Sequence, residues 1–477
     1  MLDEPWDVVV VGGGNAAMVS ALTARDQGAR VLVLERAPLV FRGGNSRHTR
    51  NIRCVHNQPD AYTPGAYSYG EMWADLCGIG NGPGNEHLAE LTVRESASVP
   101  AWMSAHGVRW QQPLNGTLHL GRTNRFFLGG GKALLNTYYR TAERAGIAIV
   151  YDCGVEALRV EGDACVQLIV RGAGADAGAG GEGGGGQRRV RAGAVVCASG
   201  GFEANVEWLR RYWGDAALNY HVRGPRYNDG AVLAVLLEHG AERAGDQHGF
   251  HAVAVDARSP KFDGGIATRL DAIPFGIVVN QAGERFYDEG EELWPKRYAT
   301  WGGHIAQQPG QIAYVLWDRK VHGMFIPPMY GAYQAETVAG VAQQLGLNPV
   351  AVEATVAAYN QAVDRGLGGR FDPSRLDGSA TVGLAPPKSN WAQRLDTPPF
   401  SGVPMRPGIT FTYLGVAVGG DARVRRGDGT SFSNVFAAGE IMSGNVLSTG
   451  YMAGFGLTIG TVWGRIAGRE AARYALR

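Results

Sequence analysis

Short runs of consecutive apolar residues alternate with helical patterns near both ends of the chain. Residues 7–11 (DVVVV) have the continuous apolar pattern of a buried parallel strand, and residues 31–35 (VLVLE) repeat it after a helix that ends at Gly28. A third run, in AGAVVCASGGFEAN at 192–205, leads into a turn of small residues, and a fourth lies in SFSNVFAAGEIMSGN at 431–445. These patterns predict an α/β fold with parallel strands that end in small-residue turns.

The turn after the first strand is typical of dinucleotide binding. Gly12, Gly14 and Ala17 fit the pattern G-x-G-x-x-G/A between a strand and a helix, and Glu35 ends the next strand. In this motif the first glycine permits a tight turn, the second lets the backbone approach a pyrophosphate, and the helix N-terminus presents N–H groups to it. Glu35 can accept hydrogen bonds from both ribose hydroxyls. The sequence therefore predicts a bound dinucleotide.

The dinucleotide is predicted to be FAD rather than NAD, because a late strand followed by AAGE returns to the same fold. The helix predicted over YMAGFGLTIGTVWGRIAG has a glycine-rich N-terminus that could face the flavin. The predicted cofactor-binding residues are Gly12, Gly14, Asn15, Ala16, Ala17, Glu35, Arg36, Gly44, Asn45, Ser46, Ala198, Ser199, Gly200, Gly439, Glu440, Gly454 and Gly456.

Composition narrows the choice of partner and compartment. The 477 residues carry a formal net charge of +1, so neither nucleic acid nor an acidic membrane surface is expected as the main partner. Five scattered cysteines without a C-x-x-C pair give no zinc, haem or iron–sulfur motif, and no metal site is predicted. The acidic first segment has no signal-peptide pattern and no apolar run could span a bilayer, so the chain is expected to be cytoplasmic.

The segment GGNSRHTRNIRC (43–54) concentrates positive charge after the second strand. Its glycines, with Asn45 and Ser46, suggest a loop pressed against a ligand. Arg50 and Arg53, together with Arg47 and His48, suggest that something negative lies nearby. From the residues alone, this loop could be a phosphate clamp, a substrate site or a solvated basic loop.

Several motifs together resemble the flavoprotein subunits of the fumarate reductase and succinate dehydrogenase family, which also includes 3-ketosteroid dehydrogenases. They are GGNSRHTRNIRC, FGIVVNQAGERFYDEGEELWPKRYA, RPGITFTYLG and AAGEIMSGNVLSTGYMAGFG, and they extend over nearly the whole chain. Within the family, the chain is most similar to the FAD-dependent tricarballylate dehydrogenases. The resemblance implies a Rossmann-like FAD-binding domain formed by both chain ends, with an inserted α+β capping domain. The expected segments are 1–244, 245–410 and 411–477.

The resemblance also implies a reaction at the flavin. One carbon of a C–C bond beside carboxylates or a carbonyl gives hydride to flavin N5, and its neighbour gives a proton to a protein group. By position, Arg297 corresponds to the family's proton-carrying arginine. His251 corresponds to a histidine that binds a substrate carboxylate, with His248 as its rival.

Other positions depart from the family pattern. Thr268-Arg269 stands where the family has Thr-Glu, so a relay carboxylate is replaced by a cation that a third substrate carboxylate could use. The family's later histidine is replaced within TFTYLG, where Thr410 and Tyr413 are the polar choices. Tyr451 replaces the arginine of a glycine turn. The predicted catalytic residues are thus Arg297, His251 and Tyr413, and the predicted substrate-binding residues are Arg50, Arg53, Thr268, Arg269 and Tyr451.

These positions favour oxidation of tricarballylate to cis-aconitate. The alternatives are a flavin dehydrogenase of another substrate, such as a 3-ketosteroid or another polycarboxylate, and a non-catalytic flavin-binding sensor or assembly subunit. The family's flavin-linking histidine aligns nearer Asn45 than His48, so the FAD is expected to be non-covalent. The resemblance further implies a separate electron-transfer protein, membrane-bound, through which the chain would lie peripherally at the membrane.

Overall fold

The computed structural model describes residues 2–113, 120–172, 186–366 and 371–477. Its strands, in chain order, are β1 (Trp6–Val11), β2 (Val31–Leu34), β3 (Asn51–Arg53), β4 (Trp110–Gln111), β5 (Asn124–Phe127), β6 (Ala148–Val150), β7 (Gly154–Glu161), β8 (Ala164–Arg171), β9 (Gln187–Val190), β10 (Ala192–Cys197), β11 (His221–Val222), β12 (Arg243–Ala244), β13 (Phe250–Asp256), β14 (Ile277–Val279), β15 (Ala313–Trp317), β16 (Tyr333–Ala335), β17 (Phe400–Thr412), β18 (Gly415–Val416), β19 (Arg423–Arg425) and β20 (Ser431–Ala437).

The helices of the same ranges are α1 (Asn15–Asp26), α2 (Tyr69–Gly78), α3 (Glu86–Glu95), α4 (Val99–Ala105), α5 (Leu120–Thr123), α6 (Gly130–Arg144), α7 (Val206–Trp213), α8 (Ala231–Glu238), α9 (Trp294–Arg297), α10 (Trp301–Ala306), α11 (Val338–Gln344), α12 (Pro349–Asp364) and α13 (Phe455–Ala475). The sequence predicts a flexible hairpin tip for the low-complexity segment 172–187. Residues 173–185 of that segment lie outside the described residues, and the strands on either side, β8 and β9, pair antiparallel.

The main sheet has the strand order β19-β20-β10-β1-β2-β6. Its five strands from β20 to β6 are parallel, and β19 pairs antiparallel at one edge. The central strand β1 is apolar and almost entirely buried, as a parallel strand covered on both faces requires. Because β20 comes from the end of the chain and β1 from its start, both ends build one sheet. The predicted α/β class is confirmed.

The first and last long helices, α1 and α13, pack closely against each other. A side chain at Gly464 of α13 would place its Cβ 2.8 Å from the carbonyl oxygen of Ala16, and one at Gly468 would place it 2.3 Å from that of Ser20. Glycine spaced by four residues therefore lets the two helix backbones approach each other. This contact fixes the C-terminal segment against the nucleotide-binding motif.

A second sheet is built around the long strand β17. The strands β13, β15 and β16 pair antiparallel with it, β14 extends the sheet beyond β15, and β11 joins in parallel. The predicted domain boundary at residue 410 falls inside β17, and β11 precedes the predicted boundary at 245. The three-segment division stays a prediction.

Within the described ranges, no helix is both long and apolar enough to cross a membrane. All five cysteines are free thiols; Cys77 is exposed and the other four are buried.

Candidate functional site

A continuous cavity begins where the parallel strands of the main sheet end. Its lining includes residues directly after β1, β2, β10 and β20, and it continues past loop residues 44–51 to side chains carried by the second sheet. The carboxyl ends of parallel strands are the usual ligand site of open α/β sheets. One cavity therefore joins the dinucleotide motif to the cationic loop.

The glycine turn after β1 has little room for side chains. Gly12 has a φ of +112°, and a Cβ there would lie 2.4 Å from the carbonyl oxygen of Ala198. A Cβ at Gly13 would lie 2.1 Å from Oε2 of Glu35. Gly14 differs, because a Cβ there would meet nothing in the protein closer than 3.6 Å. The first two glycines are needed by the fold, and the third leaves space on the cavity side.

Glu35 occupies the position expected of a ribose-binding carboxylate. Its Oε1 accepts a hydrogen bond from the N–H of Ala37 at 2.8 Å, and burial raises the pKa of this carboxyl. The neighbouring Arg36 forms an ion pair with Asp229 at 2.5 Å, and both residues line the cavity.

The loop predicted as a cofactor clamp is held against both sheets. The Oγ of Ser46 accepts a hydrogen bond from the N–H of Asn15 at 3.1 Å, and Nδ2 of Asn45 donates to the carbonyl oxygen of Thr410 at 2.7 Å. Farther along, the ring of His48 is paired with the carboxylate of Asp263. These bonds fix the loop along the cavity wall.

The residues at this end fit FAD. The Oδ1 atoms of Asn15 and Asn45 are buried and have no hydrogen-bond partner among the described residues, as groups that a ligand satisfies would be. The helix α1 starts without a side-chain cap, so its N–H groups beyond Asn15 can serve a pyrophosphate. Of the seventeen predicted cofactor residues, Ala17 alone does not line the cavity; it is fully buried in α1.

The other end of the cavity holds Arg50, Arg223 and Arg269, which we call the arginine cluster. Arg269 donates to the carboxylate of Asp271 at 2.7 Å. Arg223 donates to the hydroxyl of Thr410 at 3.0 Å, and neither Arg223 nor Arg50 forms an ion pair with any described residue. Nη2 of Arg50 and Nε of Arg269 are buried without a hydrogen-bond partner in the described ranges. Three cations thus share one carboxylate.

The electrostatics of the cluster favour an anionic ligand. Burial and the charge of Arg269 lower the pKa of Arg50 to about 9 and that of Arg223 to about 10. The pKa of a guanidinium falls in this way where the charged form has little contact with water and little negative charge nearby. A bound carboxylate would supply the missing negative charge and hydrogen-bond acceptors.

Aromatic rings complete this end of the site. His251 stacks on Tyr451 at 4.0 Å between centroids and meets Tyr298 edge-on at 5.5 Å. Burial and the nearby Arg223 and Arg269 keep the pKa of His251 well below its usual range, so its ring is neutral. Both of its ring nitrogens are buried without a partner among the described residues.

Tyr298 lies among the cations of the arginine cluster. Its ring lies 4.8 Å from the guanidinium carbon of Arg269. Burial raises the pKa of its phenol, and Arg269, Arg223, Arg50 and Arg53 oppose that rise. Its hydroxyl has no hydrogen-bond partner among the described residues, and the side chain lines the cavity.

Several predicted site residues are not in the cavity lining. Arg297, the last residue of α9, does not line the cavity and pairs with Glu291 at 3.3 Å, whereas the next residue, Tyr298, does line it. Tyr413 is buried and donates to the carbonyl oxygen of Gly450 at 3.1 Å. His248 is exposed, near Tyr212.

Two further predicted substrate residues support the cavity from behind. Arg53 is buried and donates to the carbonyl oxygen of Ala453 at 3.1 Å and to the hydroxyl of Tyr67 at 2.8 Å. Thr268 donates to the carbonyl oxygen of Gly265 at 3.1 Å and supports the turn before Arg269. Arg50, His251, Arg269 and Tyr451 do line the cavity.

Sequence reasoning missed Arg223, Tyr298 and Asp271. Arg223 lies in HVRGPRYNDG, a polar segment directly before the apolar helix α8, which was a usable signal. Asp271 follows Arg269 by two residues and places a carboxylate against its guanidinium.

Comparison with known proteins establishes the family. The family model described as FAD binding domain matches residues 7–457. The chain therefore belongs to this family of FAD-binding proteins. The predictions of FAD as cofactor and of an FAD-dependent oxidoreductase that acts on CH–CH groups are confirmed at this level.

Individual relatives are distant. A NADH:fumarate oxidoreductase of Klebsiella pneumoniae (strain 342) is 24% identical over 99% of the chain, which spans only 48% of that protein. An open-form structure of a flavocytochrome c3 fumarate reductase superposes with a TM-score of 0.76 at 23% identity, covering 100% of this chain and 79% of that one. A 3-ketosteroid-Δ4-(5α)-dehydrogenase from Rhodococcus jostii RHA1 superposes with a TM-score of 0.71 at 21% identity, covering 99% and 98%. These likenesses establish the fold and leave the substrate open.

Proposed function

We propose that this chain is an FAD-dependent dehydrogenase that forms a C=C bond between carboxylate-bearing carbons, with tricarballylate as substrate and cis-aconitate as product. The observation that supports it most is the arginine cluster, in which Arg50 and Arg223 lack carboxylate partners among the described residues. A tricarboxylate can offer one carboxylate to each arginine. A dicarboxylate could pair with Arg50 and Arg223, but it would leave Nε of Arg269, which is buried without a partner among the described residues, without an acceptor.

The cavity residues divide the chemical work. When bound, FAD supplies the two-electron acceptor for a hydride. The arginine cluster holds the substrate carboxylates and so fixes the orientation of the reacting carbons. His251 is neutral and stacked between rings, so it can donate a hydrogen bond to a carboxylate but not a charge.

Tyr298 is the group placed to exchange the substrate proton. Its side chain lines the cavity, and although burial raises the pKa of the phenol, the surrounding arginines oppose that rise. Asp271, bonded to Arg269 at 2.7 Å and to the indole N–H of Trp294 at 2.7 Å, fixes the wall behind it. The role carried over to Arg297 stays a prediction, and Arg297 pairs with Glu291 and is not among the residues that line the cavity.

A 3-ketosteroid dehydrogenase is the second candidate. Phe411, Tyr298 and Tyr451 give the cavity an aromatic wall that could hold an apolar ring system. The uncompensated Arg50 and Arg223 argue against it, because an uncharged ligand would leave both buried cations unpaired.

The cofactor linkage and the electron acceptor belong to the same proposal. FAD is bound without a covalent link, since Asn45 stands where the family's linking histidine aligns and its amide is bonded to Thr410. Electrons leave for a separate, membrane-bound protein that carries iron–sulfur or haem groups, and the chain works in the cytoplasm or at the membrane through that partner.

Product analysis tests the proposal. Anaerobic enzyme is mixed with limiting tricarballylate, and the products are separated after the flavin has bleached. One mole of cis-aconitate for each mole of FAD reduced supports it. Bleaching by a 3-ketosteroid with none by tricarballylate would select the second candidate, and no bleaching by either would favour a non-catalytic flavin-binding subunit.

A further inference from the structure

Two carboxyl groups meet beside the cofactor cavity without a cation. Glu203 is fully buried, and Glu440 lies at the start of the turn after β20, where it lines the cavity. A Cβ at Gly201 would lie 2.4 Å from Oε1 of Glu440 and 2.9 Å from Oε2 of Glu203, so both carboxyls crowd the same glycine. Neither forms an ion pair with a described residue.

The hydrogen bonds of Glu203 and Glu440 leave one carboxyl oxygen of Glu203 without a donor among the described residues. Oε1 of Glu203 accepts from Nδ2 of Asn228 at 2.8 Å and from Nδ2 of Asn45. Oε1 of Glu440 accepts from the N–H of Thr412 at 2.9 Å. Oε2 of Glu203 is buried and has no donor among the described residues. The carboxyl of Glu440 lies within hydrogen-bonding reach of the Glu203 carboxyl, and two carboxyl groups can hydrogen-bond to each other only if one carries a proton.

We propose that Glu203 and Glu440 share one proton as a carboxylic acid–carboxylate pair, and that this proton is required for full FAD affinity. The pair connects the loop carrying Asn45, the turn after β10, and the segments carrying Thr412 and Glu440, all of which contribute to the FAD-binding cavity. Loss of the proton would place two like charges side by side in a buried position, which would push these segments apart.

The direction of titration follows from the surroundings. Burial raises the pKa of both carboxyls, and the charge of Glu203 raises that of Glu440 further. The other titratable groups of the cavity wall do not neutralise the pair. Arg223 donates to Thr410, and the phenol of Tyr451 is uncharged. Asp229 is paired with Arg36, and His48 is paired with Asp263. Because the pKa is raised in the folded protein, the stabilised form exists at low pH and is lost as pH rises.

The expected consequence is an FAD affinity that falls on the alkaline side. Bound FAD would cover the side of Glu440 that lines the cavity and would thereby favour the protonated, less charged pair. Above the pKa of the pair in the FAD-free protein, the Kd for FAD should rise by up to about tenfold for each pH unit. This inference depends on FAD binding alone and not on the identity of the substrate.

The variant Glu203→Gln is the direct test, because its amide provides a permanent N–H donor to Glu440 and still accepts from Asn45 and Asn228. FAD release from the loaded enzyme is followed by flavin fluorescence from neutral to alkaline pH. We expect a pH-dependent Kd in the wild type and a nearly constant one in Glu203→Gln. Asp229→Asn is the matched control, since it removes a carboxylate from the same cavity and should keep the wild-type pH dependence.

Infrared spectroscopy reports the proton itself. A pH-jump difference spectrum of the wild type should contain a carboxylic-acid carbonyl band that Glu203→Gln removes. Equal pH dependence of FAD release in the wild type and Glu203→Gln would overturn the proposal, as would a wild-type spectrum without such a band. If Glu203→Gln does not fold, Glu440→Gln places the amide donor on the other partner and carries the same expectation for the band.

Discussion

Arg223 carries a buried charge without a carboxylate partner among the described residues. Whether its substitution stabilises or destabilises the ligand-free protein therefore distinguishes a role in substrate binding from a role in the fold. Arg223 is 4% exposed, and its guanidinium bonds only to the hydroxyl of Thr410 and the carbonyl oxygen of Gly265 among the described residues. The substitution Arg223→Met keeps much of the side-chain volume and removes the charge. If Arg223 stabilises the fold, its removal should lower the free energy of unfolding. If Arg223 serves an anionic substrate, its buried charge should destabilise the ligand-free protein, so its removal should raise that free energy.

The magnitude can be worked from the structure. Burial and Arg269 lower the pKa of Arg223 from its ordinary value to about 10, which corresponds to roughly 3 kcal/mol against the charged form in the ligand-free protein. Arg223→Met removes this cost, but the loss of two hydrogen bonds offsets about 1–2 kcal/mol of the resulting stabilisation. Arg223→Met should therefore be about 1–2 kcal/mol more stable than the wild type without ligand. Loss of a buried charged contact to substrate costs about 2–5 kcal/mol, so the Kd should rise at least about thirtyfold.

The assay is unfolding of FAD-loaded, oxidised enzyme with and without cis-aconitate, the product, which oxidised flavin cannot consume. At a concentration of about 100 times the wild-type Kd, the ligand should stabilise the wild type by about 2.7 kcal/mol. The variant, with a thirtyfold higher Kd, should gain less than about 0.9 kcal/mol.

Arg285→Met is the matched control, because the side chain of Arg285 is 4% exposed but pairs with Glu289 at 2.5 Å. It should lose about 3–5 kcal/mol of stability and keep the full ligand effect. If Arg223→Met were destabilised without ligand and still gained the full stabilisation from cis-aconitate, Arg223 would be a structural residue and the substrate argument would fail.

Three further predictions follow from the site. Tyr298→Phe should keep FAD and substrate binding but slow flavin reduction far more than Arg297→Lys does; a larger loss in Arg297→Lys, measured by stopped flow, would return the proton role to Arg297. Gly14→Ala should fold normally, because its Cβ meets protein atoms no closer than 3.6 Å, yet it should bind FAD weakly, whereas Gly12→Ala should fail to fold. Equal FAD content in Gly14→Ala and the wild type would show that the pyrophosphate does not bind at this turn. The purified chain should release all its flavin as free FAD on acid precipitation, and flavin retained in the pellet would contradict this. It should turn over with a phenazine dye as electron acceptor but not with NAD(P)⁺, and turnover coupled to NAD⁺ would contradict that.

The cofactor end of the site could be predicted from sequence because its determinants are local. The turn at Gly12 and Gly14, the helix after it and Glu35 belong to one strand–helix–strand unit, so their spacing fixes their geometry. The late AAGE strand also follows from its pattern, since a parallel strand must place its C-terminal turn at the same edge of the sheet. FAD as cofactor was therefore predictable.

The substrate end depends on long-range pairing that sequence spacing does not encode. His251 reaches the cavity because β13 pairs with β17, with His251 opposite Phe411. Arg50 and Arg223 come from segments far apart in the chain, and their proximity could not be read from either segment. Charge pattern alone also failed to separate Arg53, which supports the wall, from Arg50, which lines it.

The difference between Arg297 and Tyr298 has a simple physical reason. They are adjacent at the end of a short helix, where successive side chains point about 100° apart. Alignment by motif can place the helix correctly and still miss the inward-facing residue by one position. The same limit applies to Arg269 and Asp271, whose ion pair is visible only once the turn that carries them is known.

The central claim is that this flavoenzyme oxidises a polycarboxylate held by the arginine cluster. The most direct measurement is the rate of anaerobic flavin reduction, by stopped flow, with equal concentrations of tricarballylate, succinate and a 3-ketosteroid. The account predicts that tricarballylate bleaches the flavin at least about thirtyfold faster than succinate, as the loss of one buried charged contact implies, and that the steroid is inert. Equal rates with tricarballylate and succinate, or faster reduction by the steroid, would contradict it.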